Sequence, residues 1–255
     1  MAIRESGLIP ITGLPWQGVC YGCTTRHGGV SAGPWASLNL GLHTGDDECA
    51  VHENRRRLAA ALPGEPFWLQ QVHGIHVVEA GSTVLPPRAD AAFTTQPGCV
   101  LAIMTADCAP VVIADTHGRV LGVAHAGWRG LVAGVLDSTL AALRARLPSA
   151  AGWRAWVGPC IGQAGFEVGD EVRLAFTGAD PAAAAFFVTG VRPGKWQADL
   201  AGLVCHRLAA LGVQNVEVSG LCTFGRADLF HSYRRAAVTG RMATVAWLEP
   251  CTSAA

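Results

Sequence analysis

Thr105-Ala-Asp-Cys-Ala-Pro-Val-Val-Ile-Ala-Asp-Thr-His-Gly-Arg-Val-Leu-Gly-Val-Ala-His-Ala-Gly-Trp-Arg-Gly130 carries two apolar runs of strand length with a turn between them. Residues 110–114 and 119–125 are rich in valine and alanine, and Asp115-Thr-His-Gly118 has the residue types that favour a tight reversal. An antiparallel hairpin is predicted. With a four-residue loop, Ala114 pairs with Arg119 and Cys108 stands opposite His125 at the open end, their Cβ atoms ~5 Å apart. At that distance the two can share a metal or form a Cys–His catalytic pair; equally, a buried cysteine can simply touch a hydrogen-bonded histidine. Pro110 requires a sheet edge or a strand start.

Working outward, residues 67–72, 76–80, 89–93 and 99–104 are further short apolar runs bounded by turn residues, and strands are predicted there. Residues 18–25, 153–157 and 216–219 read as strands too. Helices are predicted at 48–62, ended by Pro63-Gly64, and at 129–147, 170–176 and 199–211. The second of these places Leu131, Val135, Leu136, Leu140 and Leu143 on one face. No linker, charge run or repeat divides the chain, so residues 1–255 are read as one α/β domain with its strands concentrated in the centre.

Composition narrows the function classes. Of the 255 residues half are hydrophobic and 15% charged, with a mean hydropathy of +0.30, which excludes a disordered chain. The longest apolar stretches, such as 99–104 and 109–114, stop far short of the ~18 residues of a spanning helix. Glu5 and Pro10 stand where a signal peptide's apolar run belongs, so a soluble cytoplasmic protein without membrane attachment is expected. Basic and acidic residues balance at 19 each, which gives no bulk electrostatic case for nucleic acid. Lys195 is the only lysine; the arginine fork suits small anions, although nucleotide bias in a genome accounts for the preference as well. Nine cysteines without an export signal argue against a disulfide framework, and most are read as small buried hydrophobes. Cys20 and Cys23 have redox-pair spacing, but a strand sends positions three apart to opposite faces, so both are read as structural.

The surroundings of Cys108 and His125 are not those of a core. Asp107 sets a carboxylate beside the cysteine, and His125-Ala-Gly-Trp-Arg-Gly130 leads into a helix start where Arg129 can meet an anion. His73, in Gln70-Gln-Val-His-Gly74, is a third candidate that spacing alone does not bring to the other two. Two histidines and a cysteine with an open fourth position are a known ligand set for catalytic zinc.

The motifs resemble those of the laccase-domain family, also called multicopper polyphenol oxidase-like or YfiH-like. The resemblance runs almost end to end. It includes Thr24-Thr-Arg-His-Gly-Gly-Val-Ser31, Ser37-Leu-Asn-Leu-Gly41, Gln71-Val-His-Gly74, Ala89-Asp-Ala91, Thr105-Ala-Asp-Cys108, Ala124-His-Ala-Gly-Trp-Arg-Gly130, Gly158-Pro-Cys-Ile-Gly162, Ser232-Tyr-Arg-Arg235 and Thr239-Gly-Arg-Met242. Departures are Ala109 where leucine is usual, Gly165-Phe166 where Cys-Tyr is common, and His231 where phenylalanine is frequent. The resemblance implies a layered α/β/β/α fold with mixed central sheets, and His73, Cys108 and His125 as zinc ligands. It also implies phosphorolysis of adenosine, inosine or methylthioadenosine to base and sugar 1-phosphate, with deamination of adenosine by some members. Members that edit peptidoglycan imply a different chemistry, hydrolysis of a muramoyl amide that removes L-serine from a UDP-linked precursor. There Cys108 acts as nucleophile with His125 as base, or the metal activates water.

For the purine chemistry Asp107 is the expected acid–base group, and Arg26, Asn39 and Arg129 are expected to contact phosphate and sugar, with nucleoside and phosphate as the small-molecule partners. The copper in the family's name has less support. The chain has nine histidines and no His-x-His pair, so a multicopper cluster cannot be built within it. A single copper site with Met104 as axial ligand, or copper replacing zinc, would give weak phenol oxidation as a side activity.

Overall fold

The structure is a computed structural model describing residues 7–81 and 86–250; the first six residues weighed above for a signal peptide lie outside the described residues, as does Cys251. In chain order the first elements are β1 (Val19–Cys23), α1 (Glu48–Ala60), β2 (Val77–Glu79), β3 (Ala91–Thr94) and β4 (Leu101–Thr105). The centre of the chain forms β5 (Ala109–Asp115), β6 (Leu121–Ala126), α2 (Trp128–Ala133), α3 (Val135–Arg146) and β7 (Trp153–Val157). After them come β8 (Glu167–Gly169), α4 (Asp170–Ala179), β9 (Phe187–Thr189), β10 (Lys195–Ala198), α5 (Leu200–Ala210), β11 (Asn215–Val218) and β12 (Met242–Leu248).

β5 and β6 form the hairpin, but two residues off the predicted register: Ala114 pairs with Leu121 and Pro110 with His125. The turn sets this. The buried Asp115 carboxylate accepts from the backbone N–H groups of His117, Arg119 and Val120, so Asp115 ends opposite Val120 rather than inside the loop. A slip of two keeps every side chain on its face, whereas a slip of one would have reversed them. Cys108 is therefore the diagonal neighbour of His125, and Pro110 stands near the strand start.

Six strands in the order β11-β7-β5-β6-β3-β2 make the larger sheet. It is mixed, with β11–β7 and β2–β3 parallel and the other pairs antiparallel. A second sheet, β1-β12-β4, is antiparallel, and β8-β10-β9 form a third small one. The alternation of side chains builds the layers. Val111 and Ile113 point to a core shared with Leu136 and Leu140 of α3 and Leu203 of α5. Val112 and Ala114 point to a core shared with Leu101 and Ile103. From β4, Ala102 and Met104 face outward onto Leu58 of α1. The order is helices, six-stranded sheet, three-stranded sheet, helix: a layered α/β/β/α arrangement.

Three sequence expectations need correction. The helix predicted over 129–147 is two, because Gly134 takes a left-handed conformation (φ 99°) that ends α2 and starts α3. Residues 67–72 make only isolated bridges, Phe67 to Leu101 and Gln70 to Arg88, since the Gln71 side chain takes the place of strand pairing by bonding Met104 N and O at 2.8 Å each. Among the eight described cysteines only Cys23 and Cys160 are fully buried. Among the described residues no helix is long and apolar enough to cross a membrane.

His231 is wholly buried, with no partner for Nε2 among the described residues. Burial and the nearby charges of Arg26, Arg241 and Arg235 push its pKa down to about 3, so the ring is neutral when folded. The unfolded chain takes up a proton below ~6.5, so stability is lost as the pH falls from there towards 3. His231→Phe is expected to raise stability by about 1 kcal/mol at pH 7 and by ~2 kcal/mol more at pH 5. Urea unfolding at the two pH values checks this; equal or lower stability at both would refute it.

Candidate metal centre

The six-stranded sheet assembles the site at one end of three neighbouring strands. His125 sits on β6; Asp90 immediately precedes β3, and Cys108 immediately precedes β5. Pairing of β6 with β3 and β5 therefore sets Asp90 on one side of His125 and Cys108 on the other. His73 arrives from outside the sheet. The extended segment after Trp68 turns at His73, whose φ of 59° is left-handed. The buried Asp90 carboxylate holds this turn by accepting from the N–H groups of Val72, His73 and Gly74 at 3.1, 2.9 and 2.7 Å. The same carboxylate accepts from Nδ1 of His125 at 2.9 Å.

This buried carboxylate fixes the chemistry of the ring. With Nδ1 donating to Asp90, Nε2 of His125 is free to ligate. One ligand atom each from His73, Cys108 and His125 lies within 4.8 Å of the other two, and the imidazole centroids are 4.7 Å apart. Burial opposes charge on His125, but the Cys108 sulfur and the Asp90 carboxylate outweigh it and push the pKa up to about 9. Without metal the His125 ring is thus held protonated, and a metal would displace its proton. Burial lowers the pKa of His73, helped by its positive neighbour His125, which leaves a neutral ring suited to ligation. Two nitrogens and a sulfur, one histidine oriented by a carboxylate, fit the donor set of an open zinc site.

Gly127 completes the cradle. A Cβ there would lie 2.8 Å from Nδ1 of His73 and 2.9 Å from the Cys108 sulfur. Gly127→Ala is expected to displace both groups and weaken zinc binding by about tenfold or more, read by competition with a chromophoric chelator. Unchanged affinity would mean that the two groups do not hold the metal together.

The cluster opens into a cavity of about 740 Å³. Asp107 and Arg129 line it, as do His43, Tyr233, Arg234 and Arg241, which the sequence did not single out. Arg129 lies exposed with its guanidinium 4.5 Å over the Trp128 ring. Met104 lines the cavity too, but its sulfur accepts from Nη2 of Arg55 at 3.7 Å, which is no support for axial ligation.

Three expected roles do not match their positions. The carboxylate expected as acid–base group, that of Asp107, accepts from Thr223 Oγ1 (2.6 Å), Ser232 Oγ (3.0 Å) and Arg234 N (2.7 Å). It pins the loops that wall the cavity. Arg26 is outside the cavity lining, donating to the carbonyls of Ala36 and Ala227. Asn39 is outside it as well, fully buried, with its amide on Thr44 and Asp46. Both hold loops together. Asp90, the residue with the most consequence for the site, went without a role in the sequence; its only signal was its place in the Ala89-Asp-Ala91 motif.

Residues 20–249 match the family described as multi-copper polyphenol oxidoreductase laccase. The chain belongs to this family. A laccase-family relative from Pseudomonas aeruginosa, named purine nucleoside phosphorylase, is 49% identical over 89% of this chain and 92% of its own. The Escherichia coli purine nucleoside phosphorylase YfiH is 46% identical over 91% of this chain and 95% of its own. Among solved structures, a Neisseria meningitidis protein superposes with a TM-score of 0.89 at 40% identity, covering 95% of this chain and all of that one. YlmD from Geobacillus stearothermophilus gives 0.85 at 31% identity over 95% and 99%. These laccase-family likenesses carry the mixed α/β fold described above.

Proposed function

We propose that this protein is a cytoplasmic, single-domain, metal-dependent purine nucleoside phosphorylase, converting adenosine, inosine or methylthioadenosine with phosphate to base and sugar 1-phosphate, with deamination of adenosine as a second activity. The observation that carries the reading is the His73–Cys108–His125 cluster opening on a 740 Å³ cavity walled by arginines, a tryptophan and a tyrosine. The names of the two bacterial relatives support it. A cavity of that size takes a nucleoside together with phosphate. His73, Cys108 and His125 would hold the zinc, which supplies Lewis acidity and activates water; copper would occupy the same donors. Asp90 keeps His125 in its ligating tautomer, Trp128 offers a stacking face for a purine, and Arg129 meets phosphate at the rim.

One arrangement favours a second reading. Cys108, His125 and Asp90 form a thiol–imidazole–carboxylate series of the kind that attacks amides, which suits the muramoyl amidase chemistry. A product assay separates the two. Zinc-loaded protein is given adenosine with and without phosphate, and products are resolved by chromatography. Adenine formed only with phosphate is the expected result, and inosine formed without phosphate marks the deaminase. If zinc is bound and no nucleoside is consumed, the phosphorylase reading falls, and a serine-containing muramoyl precursor becomes the substrate to test.

A further inference from the structure

We infer that Arg241, with His43 beside it, forms a subsite for a phosphate-class oxyanion in the cavity of the metal cluster. Arg241 and His43 both line that cavity. Arg241 immediately precedes β12, whose partner β4 leads three residues on to Cys108, so strand pairing brings this distant part of the chain to the site.

The guanidinium is held rather than free. Its Nη1 donates to the carbonyls of Thr239 and Gly240 at 3.1 and 3.0 Å, and its backbone N–H donates to Asn39 Oδ1 at 2.9 Å. Gly41 makes room for the stem, since a Cβ there would lie 2.9 Å from Arg241 Cγ. Nε and Nη2 have no partner among the described residues. They form the side-on edge of the guanidinium, the pair of parallel donors that matches two oxygens of a phosphate.

No carboxylate among the described residues pairs with this charge. Among the described residues the ion pairs of the chain leave out Arg241, Arg55, Arg26 and Arg235 alike. Arg55 bonds Leu40 O and lies 4.1 Å over the Trp68 ring, and Arg235 bonds the carbonyls of Thr223, Phe224 and Phe230. The acidic groups acting on Arg241 are Cys108, Asp107 and Tyr233, and the Asp107 carboxylate is already taken by three other donors. The imbalance is felt on both sides: His43 is held below its usual pKa by burial and then by Arg241 and Arg55, and His231 by burial and then by Arg26, Arg241 and Arg235. Half-burying one cation among others is unfavourable unless an anion completes the set. The side-on edge favours an oxyanion over a halide.

The anion has two possible sources, inorganic phosphate as a co-substrate or a phosphate group carried by the substrate. The first rests on the phosphorylase reading; the subsite itself does not. The experiment is calorimetric titration of the zinc-loaded wild-type protein and R241M with two probes, inorganic phosphate and uridine diphosphate, with zinc content measured in both proteins. Wild type is expected to bind phosphate, and R241M to bind it about tenfold more weakly or worse at unchanged zinc content. R241K keeps the charge but loses the fork; it is expected to fall between them and serves if R241M does not fold. Binding of uridine diphosphate alone, weakened by R241M, would keep the subsite and remove the phosphorylase reading. Equal affinity of wild type and the Arg241 variant for whichever probe binds, or binding of neither probe by wild type, would overturn the subsite.

Discussion

Cys108→Ala leaves a protein that folds but neither holds zinc nor turns over. The thiol supplies the only sulfur of the cluster, and its loss leaves two imidazoles that cannot close a tight site. Activity is expected to fall by about 10³-fold or more, equivalent to ~4 kcal/mol of transition-state stabilisation. The fold should survive, because Cys108 precedes β5 and belongs to none of the apolar cores. The diagnostic readout is linkage: wild type gains thermal stability on adding zinc because the metal binds only the folded state, and the variant gains none. Metal removal from wild type by a chelator should reproduce the loss of activity and zinc should restore it. Full turnover by metal-free protein would refute the metal centre altogether.

Asp90→Asn strikes the same centre from behind. The wild-type carboxylate, itself buried, accepts from the His125 ring and from three backbone N–H groups. An amide keeps one acceptor oxygen and aims an N–H₂ at donors. Two consequences are expected. N–H groups that lose their acceptor cost about 3 kcal/mol, a fall in melting temperature of ~6–12 °C. His125 also loses the acceptor that fixes its tautomer while the His73 turn loosens, so zinc affinity falls about 10–100-fold. Differential scanning calorimetry of the apo protein and competitive zinc titration read the two effects separately. Wild-type zinc affinity in this variant would mean that Asp90 serves only the fold.

Much of this was legible along the chain. Apolar runs of strand length around Asp115-Thr-His-Gly118 named the hairpin, and the apolar face through Leu131, Val135, Leu136, Leu140 and Leu143 named the helices that cover it; all five side chains are buried. The pairing of Cys108 with His125 came through a wrong register, because side-chain parity survives a slip of two. What was missed has a common character. β8, β9 and β10 are three or four residues long, too short to show a period, and β12 is buried throughout, so it shows no alternation either. Arg26 and Asn39 look like substrate contacts because they sit in glycine-rich motifs, and Asp107 looks like an acid–base group because it adjoins Cys108 in sequence; in the fold all three hold loops through hydrogen bonds that leave no trace in spacing.

The sequence by itself determined the α/β class, the hairpin, its cysteine and histidine, and the family, because each is written in local periodicity or in an unbroken motif. Spacing alone left His73 apart, and only the family resemblance implied it as a ligand; the tertiary structure decided how its turn reaches the other two, that one carboxylate at Asp90 serves both the His73 turn and the His125 ring, and that Arg241 stands in the same cavity. These are contacts across 17, 35 and more than 130 positions of chain, made where strand ends meet. Which ends meet is settled by how two sheets pack their apolar faces, and no local pattern encodes that.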